Sequence, residues 1–267
     1  MGPLGHGSTS RSATVSSSTP ARDPSGIDRY GFLSDPESRR VRGRRIAAVL
    51  TDFGGVRLGT ARILDVGCSA GLITVEIAAQ AGFVVGVDAD ASAIRYATTA
   101  NTGEHRPSFV VASGEQLPFP DDVFDAVVCN HVYEHVADPD TLMREIRRVL
   151  RPEGVCYFAA GHTLQLIEPH HRVPFLSWLP RPAADALMRA TGRGQRYEER
   201  FLPPWRLRSL FEGFTHAELV SPAMLRDPLR YGFTSIARLP SPLRNVIRAL
   251  SRPLALAATT WIWLLRR

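Results

Sequence analysis

Between Arg62 and Ala160 the chain alternates short, β-rich apolar runs with stretches of helical period. The apolar runs are Ile63 to Val66, Phe83 to Val87, Ser108 to Val111, Phe124 to Cys129 and Val155 to Ala159. Between them lie the helical stretches Leu72 to Gln80, Ala91 to Ala100 and Pro139 to Leu150. Strands separated by helices of this length predict βαβ units and a parallel sheet, the α/β class. Upstream, Pro36 to Asp52 reads as a helix. After Gly161 the rhythm breaks into a Pro- and aromatic-rich insert up to about Pro204. It resumes with a helix near Trp205 to Glu212 and two strand candidates, Thr215 to Val220 and Tyr231 to Ala237, expected to pair antiparallel at one sheet edge. Six segments follow: a disordered tail (1–26), an N-terminal helical segment (27–60), the core (61–160), the insert (161–204), the end of the core sheet (205–239) and a basic amphipathic and apolar tail (240–267).

Composition narrows the class. The 267 residues are 44% hydrophobic and 22% charged, ordinary for a globular chain with a sizeable core. Three cysteines, none in C-x-x-C or Cys/His spacing, speak against a disulfide scaffold or a zinc site. The first 26 residues are rich in Ser, Thr, Pro and Gly and lack the apolar stretch of a secretory signal, so a cytoplasmic location is expected. Net charge is +6, yet segment 63–160 has 6 Arg against 14 Asp and Glu, whereas the chain after Asp227 has seven Arg and no acid. The basicity belongs to the flanks. Without base-stacking aromatics along a groove, no nucleic-acid partner is expected.

The tail supplies another reading. Ser241 and Pro242 look like an N-cap and first helical residue, after which Leu243, Val246, Ile247 and Leu250 fall on one stripe and Arg244, Arg248 and Arg252 on another. The apolar stretch from Leu254 to Leu265 follows, with Trp261 and Trp263, then Arg266 and Arg267. That composition suits peripheral contact with an anionic membrane, at the inner face of the cell membrane. The alternative is packing on the core or on a second copy.

The chemistry concentrates at ILDVGCSAG, Ile63 to Gly71, a strand emptying into a glycine-containing turn before a helix, where open α/β sheets bind ligands. Gly67 and Gly71 permit close backbone approach, and Asp65 can accept from an ammonium or backbone donor. The D-x-G-x-x-x-G spacing disfavours a dinucleotide cradle. Asp88, ending the next strand, is placed to accept from two ribose hydroxyls.

These residues resemble the class I S-adenosylmethionine-dependent methyltransferases, in the branch containing the ubiquinone and menaquinone methyltransferases. The resemblance spans about Ile63 to Ala160 and rests on DVGCSAG, VGVDAD, Ala112 to Val136 and Leu142 to Val155. It implies a Rossmann-like, seven-stranded, mostly parallel sheet with helices on both faces, here with a C-terminal helical extension, and S-adenosyl-L-methionine as cofactor. It further implies that Asp65, Gly67 and Gly71 hold the methionine part, Asp88 the ribose, and Ser113, Gly114 and Glu115 the adenine edge, with Cys68 and Ala89 also among the cofactor-binding residues. Asn130 would sit beside the methyl group. Two positions depart from the family: Ser69 stands for its middle glycine and Ser113 for the usual acid at the adenine edge.

Methyl transfer from a sulfonium is an in-line displacement governed by alignment, but an oxygen acceptor gains from a base. His131, Glu134 and His135, just after the fourth strand, are the candidates; packing or capping is the alternative for each. Glu134 and His135 lack a third metal ligand, so no metal is expected. The insert contributes His162, Glu168, His170 and His171 as candidates for the acceptor, a pocket wall or else a surface loop. Its EPHHRVPFLSWLP looks like a pattern in bacterial methyltransferases of envelope glycan and lipid-linked sugar pathways. The expectation is O-methylation of a small-molecule, sugar or glycolipid acceptor. C-methylation of a quinone-like ring, or a non-catalytic cofactor-binding scaffold at the membrane, are the alternatives.

Overall fold

The computed structural model describes residues 35–101, 106–168, 171, 173–197 and 199–267. The chain begins with α1 (Pro36–Asp52), then β1 (Arg62–Val66), α2 (Leu72–Ala78), β2 (Phe83–Asp88), α3 (Ala91–Ala100) and β3 (Ser108–Val111). There follow β4 (Phe124–Asn130), α4 (Pro139–Val149) and the long β5 (Leu150–Ala160). The insert holds α5 (Arg181–Ala190), and beyond it come α6 (Pro204–Ser209), β6 (His216–Leu219), α7 (Ser221–Met224), α8 (Thr234–Ala237), α9 (Ser241–Ala249), α10 (Ser251–Ala257) and β7 (Trp261–Arg266).

One sheet contains all seven strands, in the order β3-β2-β1-β4-β5-β7-β6. β1 to β5 are mutually parallel, while β7 runs antiparallel between β5 and β6. The order reverses beside β1, so the carboxyl ends of β1, β2 and β4 open the crevice where α/β sheets bind ligands.

Both faces of the sheet are covered, which is why its central strands read as continuous apolar runs. On one face Leu64, Val127 and Phe158 pack under Leu142, Met143, Ile146 and Val149 of α4 and Leu207 of α6. On the other, Ile63, Val128 and Tyr157 meet Ile46, Val49 and Leu50 of α1 and Ile77 of α2. The start of α4 is fixed locally. Asp138 Oδ1 accepts from Asp140 N (3.0 Å) and Thr141 N (3.3 Å), with Pro139 in the first turn.

The seventh strand corrects the sequence reading. Tyr231 to Ala237 is not a strand: Gly232 has φ +72° and Thr234–Ala237 is a helical turn. The apolar end of the tail takes that place as β7. Alternation explains it: Trp261, Trp263 and Leu265 enter one core layer and Ile262 and Leu264 the other. A strand buried on both faces looks in sequence like an apolar anchor. α9 and α10 precede it, and Ser241 lies inside α9 without a side-chain cap. Among the described residues no helix is long and apolar enough to cross a membrane.

The insert has its own small core of Val173, Leu176, Ala184, Met188 and Tyr197. It is strapped to the sheet end. Tyr133 Oη donates to Gly161 O (2.7 Å) and accepts from Leu202 N (3.2 Å), and Arg200 N donates to Glu134 O (3.1 Å). Residues 1–34, which include the expected tail, and His170 lie outside the described residues.

Candidate active site

The turn after β1 uses three left-handed residues in five: Gly67 (φ +72°), Ser69 (φ +49°) and Gly71 (φ +77°). At Gly67 a Cβ would stand 2.5 Å from Val132, and at Gly71 2.6 Å from the Phe109 ring. Conformation and space therefore both call for glycine at these positions. Ser69 shows why the related family places glycine at the middle position as well. Its strained backbone is held by an N–H that donates to Asp88 Oδ2 (2.8 Å). Cys68 is buried, and desolvation, helped by Asp65 and Asp88, drives its thiol well above the usual range, so it stays neutral.

Asp65 is 3% exposed, and its Oδ2 accepts from the Thr74 hydroxyl (2.7 Å). Burial pushes the carboxyl up to about 7; the Thr74 bond opposes this and the neighbouring Asp88 adds to it. A buried carboxyl of this kind fits a cationic ammonium. Asp88, at the carboxyl end of β2, accepts from Ser69 N and, through Oδ1, from Asp90 N (2.9 Å). A carboxylate has about four lone-pair sites, so acceptor capacity remains for hydroxyls. Ala89 beside it is exposed.

On the far side of the crevice Ser113 Oγ accepts from Glu115 N (3.1 Å), and Glu115 Oε1 accepts from Asp138 N (2.7 Å). Gly114 has no room for a side chain, since a Cβ would lie 2.7 Å from Leu142. Asn130 ends β4, half-buried and paired with Ala159.

His131 follows Asn130 with φ +59°, a strained conformation for a residue with a Cβ. Its Nδ1 lies 2.9 Å from Glu134 Oε1, and its Nε2 lies 3.2 Å from Thr260 Oγ1. Glu134 is 1% exposed. Burial alone would raise its pKa, but the hydrogen bond from His131 and the charges of His131 and His135 outweigh it and hold the carboxyl below its ordinary value. An ionised Glu134 can only accept, so the facing Nδ1 carries a proton and Nε2 is the nitrogen left to exchange one. The structure thus joins His131 and Glu134 into a carboxylate–imidazole pair. His135 is exposed in the following turn. Sequence reasoning missed Thr260, which is distant in the chain and arrives only because β7 enters the sheet beside β5.

The insert's candidates separate. His162 is buried, its Nε2 donating to Ala258 O (3.0 Å) and its ring stacked on Trp261 (centroids 4.0 Å apart), so it ties the insert to the C-terminal segment. Burial lowers its pKa and keeps it neutral. Glu168 is fully buried and accepts from His171 N; His171 Nε2 lies 3.3 Å from Glu199. Glu199, 2% exposed, was not singled out from sequence because nothing local distinguishes it in YEER.

Strand order, the antiparallel seventh strand and the crevice define the class I methyltransferase fold. A solved S-adenosylmethionine-dependent methyltransferase from Mesorhizobium loti shares this fold, with a TM-score of 0.53 and 18% identity, covering 82% of this chain and 98% of that one. Residues 64–158 match the family model described as a methyltransferase domain, and this part of the chain is a class I S-adenosylmethionine-dependent methyltransferase domain. An uncharacterized methyltransferase from Mycolicibacterium vanbaalenii is 40% identical over 126 residues, 47% of each chain. A ubiquinone biosynthesis O-methyltransferase from Rhizobium rhizogenes is 32% identical over 124 residues, 45% of this chain and 50% of that one. The chain therefore spans about half the length of these curated relatives. The residues present fit the domain's cofactor: a left-handed turn with no room for a Cβ at Gly67 or Gly71, a buried carboxyl for an ammonium and an acid at the end of β2.

Proposed function

We propose that the chain transfers a methyl group from S-adenosyl-L-methionine to a hydroxyl of a small-molecule, sugar or lipid-linked acceptor, in the cytoplasm. The observation that carries O-methylation is the His131–Glu134 pair at the carboxyl end of β4. Bound S-adenosylmethionine would supply an electrophilic methyl on a sulfonium. Asp65 would hold its ammonium, Gly67 and Gly71 would admit its methionine part to the backbone, Asp88 would accept from the ribose hydroxyls, and Ser113, Gly114 and Glu115 would border the adenine. His131 Nε2 would take the proton of the acceptor hydroxyl as its oxygen bonds to the methyl carbon and the carbon–sulfur bond breaks, its electron pair staying on sulfur as a neutral thioether. Glu134 would stabilise the resulting imidazolium and fix the ring, and the insert, strapped over this turn through Arg200 and Leu202, would exclude water. C-methylation of a quinone-like ring is the second reading, favoured by the ubiquinone-type relative.

The test is kinetic. On a hydroxyl acceptor His131→Gln should lower kcat by about 10² to 10⁴ with cofactor affinity unchanged; an unaltered kcat removes the base. Binding has its own pH signature. With Asp65 near 7 in the free protein, its carboxyl is neutral below that pH and cannot pair with an ammonium. S-adenosylhomocysteine affinity should therefore rise by up to about tenfold per unit from pH 5 to 7 and level off above, flattening in Asp65→Asn. A flat profile in the unsubstituted protein would refute the ammonium assignment.

A further inference from the structure

In α9 the apolar stripe of the expected amphipathic helix reaches solvent together with its arginines. The guanidinium of Arg248 donates to Arg226 O (3.1 and 3.3 Å) and that of Arg244 to Ala237 O and Leu239 O (both 3.1 Å), so both lean along the protein surface while remaining exposed. Of the apolar stripe only Ile247 is partly covered: Leu243 is 51%, Val246 52% and Leu250 48% exposed, and Leu254 and Leu256 of α10 continue it. A helix lying on a protein in water buries its apolar stripe.

A second apolar surface lies nearby in the insert. Residues 164–168 lie against 173–178 through Phe175 N to Leu166 O (2.8 Å), and Trp178 Nε1 donates to Gln165 O (3.0 Å). This tongue exposes Leu164, Leu166, Ile167, Phe175 and Trp178, each by about half, with Phe175 strained at φ +59°. His162 joins the tongue to the end of α10 through Ala258 and Trp261. The tongue and the end of α10 meet at the carboxyl end of the sheet, where Trp261 pairs with Ala160.

Charge identifies the occupant. Arg244 and Arg248 bond carbonyls, which leaves their charges unneutralised, and with Arg226 they line a cavity of about 380 Å³ whose lining contains a single acid, Asp227. The whole stretch after Asp227 is free of carboxylate side chains. We propose that the outer face of α9 and α10, together with the exposed Leu164, Leu166, Ile167, Phe175 and Trp178 of the tongue, is a docking surface for an anionic phospholipid bilayer, which sets the acceptor entrance against the lipid. Apolar side chains would enter the interface while the exposed arginines beside them meet the phosphates. This deepens the reading of a lipid-linked acceptor, but it leaves β7 in the protein core.

The test is flotation of the full chain with vesicles, a readout independent of methyl transfer. Vesicles of phosphatidylcholine with phosphatidylglycerol should bind it, and phosphatidylcholine alone should bind at least about tenfold less. Val246→Glu with Leu250→Glu should lower binding about tenfold or more, Phe175→Ser with Trp178→Ser should weaken it, and Arg252→Gln should cost about fivefold. All variants should keep the melting temperature and the S-adenosylhomocysteine shift of the parent, which separates this test from that of the cofactor site. No binding to mixed vesicles, or equal binding by the Val246/Leu250 variant, overturns the proposal. So does light scattering that shows a dimer abolished by the same substitutions, or binding that appears only once residues 1–34 are removed, because another protein surface then covers the face.

Discussion

Two apolar stretches of the last 27 residues have opposite fates. Trp261 to Leu265 lies between β5 and β6, with every side chain below 8% exposed; Leu243, Val246 and Leu250 stand about half in solvent. Hydrophobicity is similar, so composition does not explain the difference. Period and available partners do. The first stretch can alternate its side chains into two core layers and satisfy its backbone on both edges, whereas the second closes its own hydrogen bonds and needs only one surface to lie on.

Removing residues 258–267 should have the largest effect, taking a strand from inside the sheet and leaving β5 and β6 unpaired. Loss of the cooperative melting transition and of S-adenosylhomocysteine binding is expected; a folded, binding-competent product would show that β7 is dispensable. A matched pair of substitutions sharpens the contrast. Leu264→Ser should destabilise by at least about 2 to 5 kcal/mol, the range for truncating a buried leucine, lowering Tm by about 5 to 15 °C. Thr260→Val lies between the stretches and leaves His131 Nε2 without its hydroxyl, a change of about 1 kcal/mol. It should appear as a several-fold change in kcat with little change in Tm. Leu250→Ser should be smallest, within about 0.5 kcal/mol by chemical denaturation. Equal losses at Leu250 and Leu264 would mean that both are core.

The elements from β1 to β5 were readable because each declares itself locally. Asp138-Pro139 opens α4, the turn of Gly67 to Gly71 ends β1, and each strand is a short run flanked by polar residues. The pairing of His131 with Glu134 is also local, three positions apart, although Thr260 completing it is not. The sequence was misleading at Tyr231 to Ala237 because aromatic and β-branched residues there serve a different purpose. Tyr231 stacks on Phe53 (centroids 5.9 Å) and its hydroxyl donates to Asp52 (2.9 Å), docking α1. In the insert, Glu168, His171 and Glu199 meet across 32 positions, and spacing carries no signal for such contacts.

The sequence by itself determined the α/β alternation, the left-handed turn and the two acids, Asp65 and Asp88, that flank it on β1 and β2. Each depends on backbone conformation or on period within a few residues. The tertiary structure alone decided which apolar segment closes the sheet and which, on α9, is left in solvent, because both depend on competition between distant segments for the same buried surface. It also decided what stands beside His131: the strand that closes the sheet brings Thr260 with it.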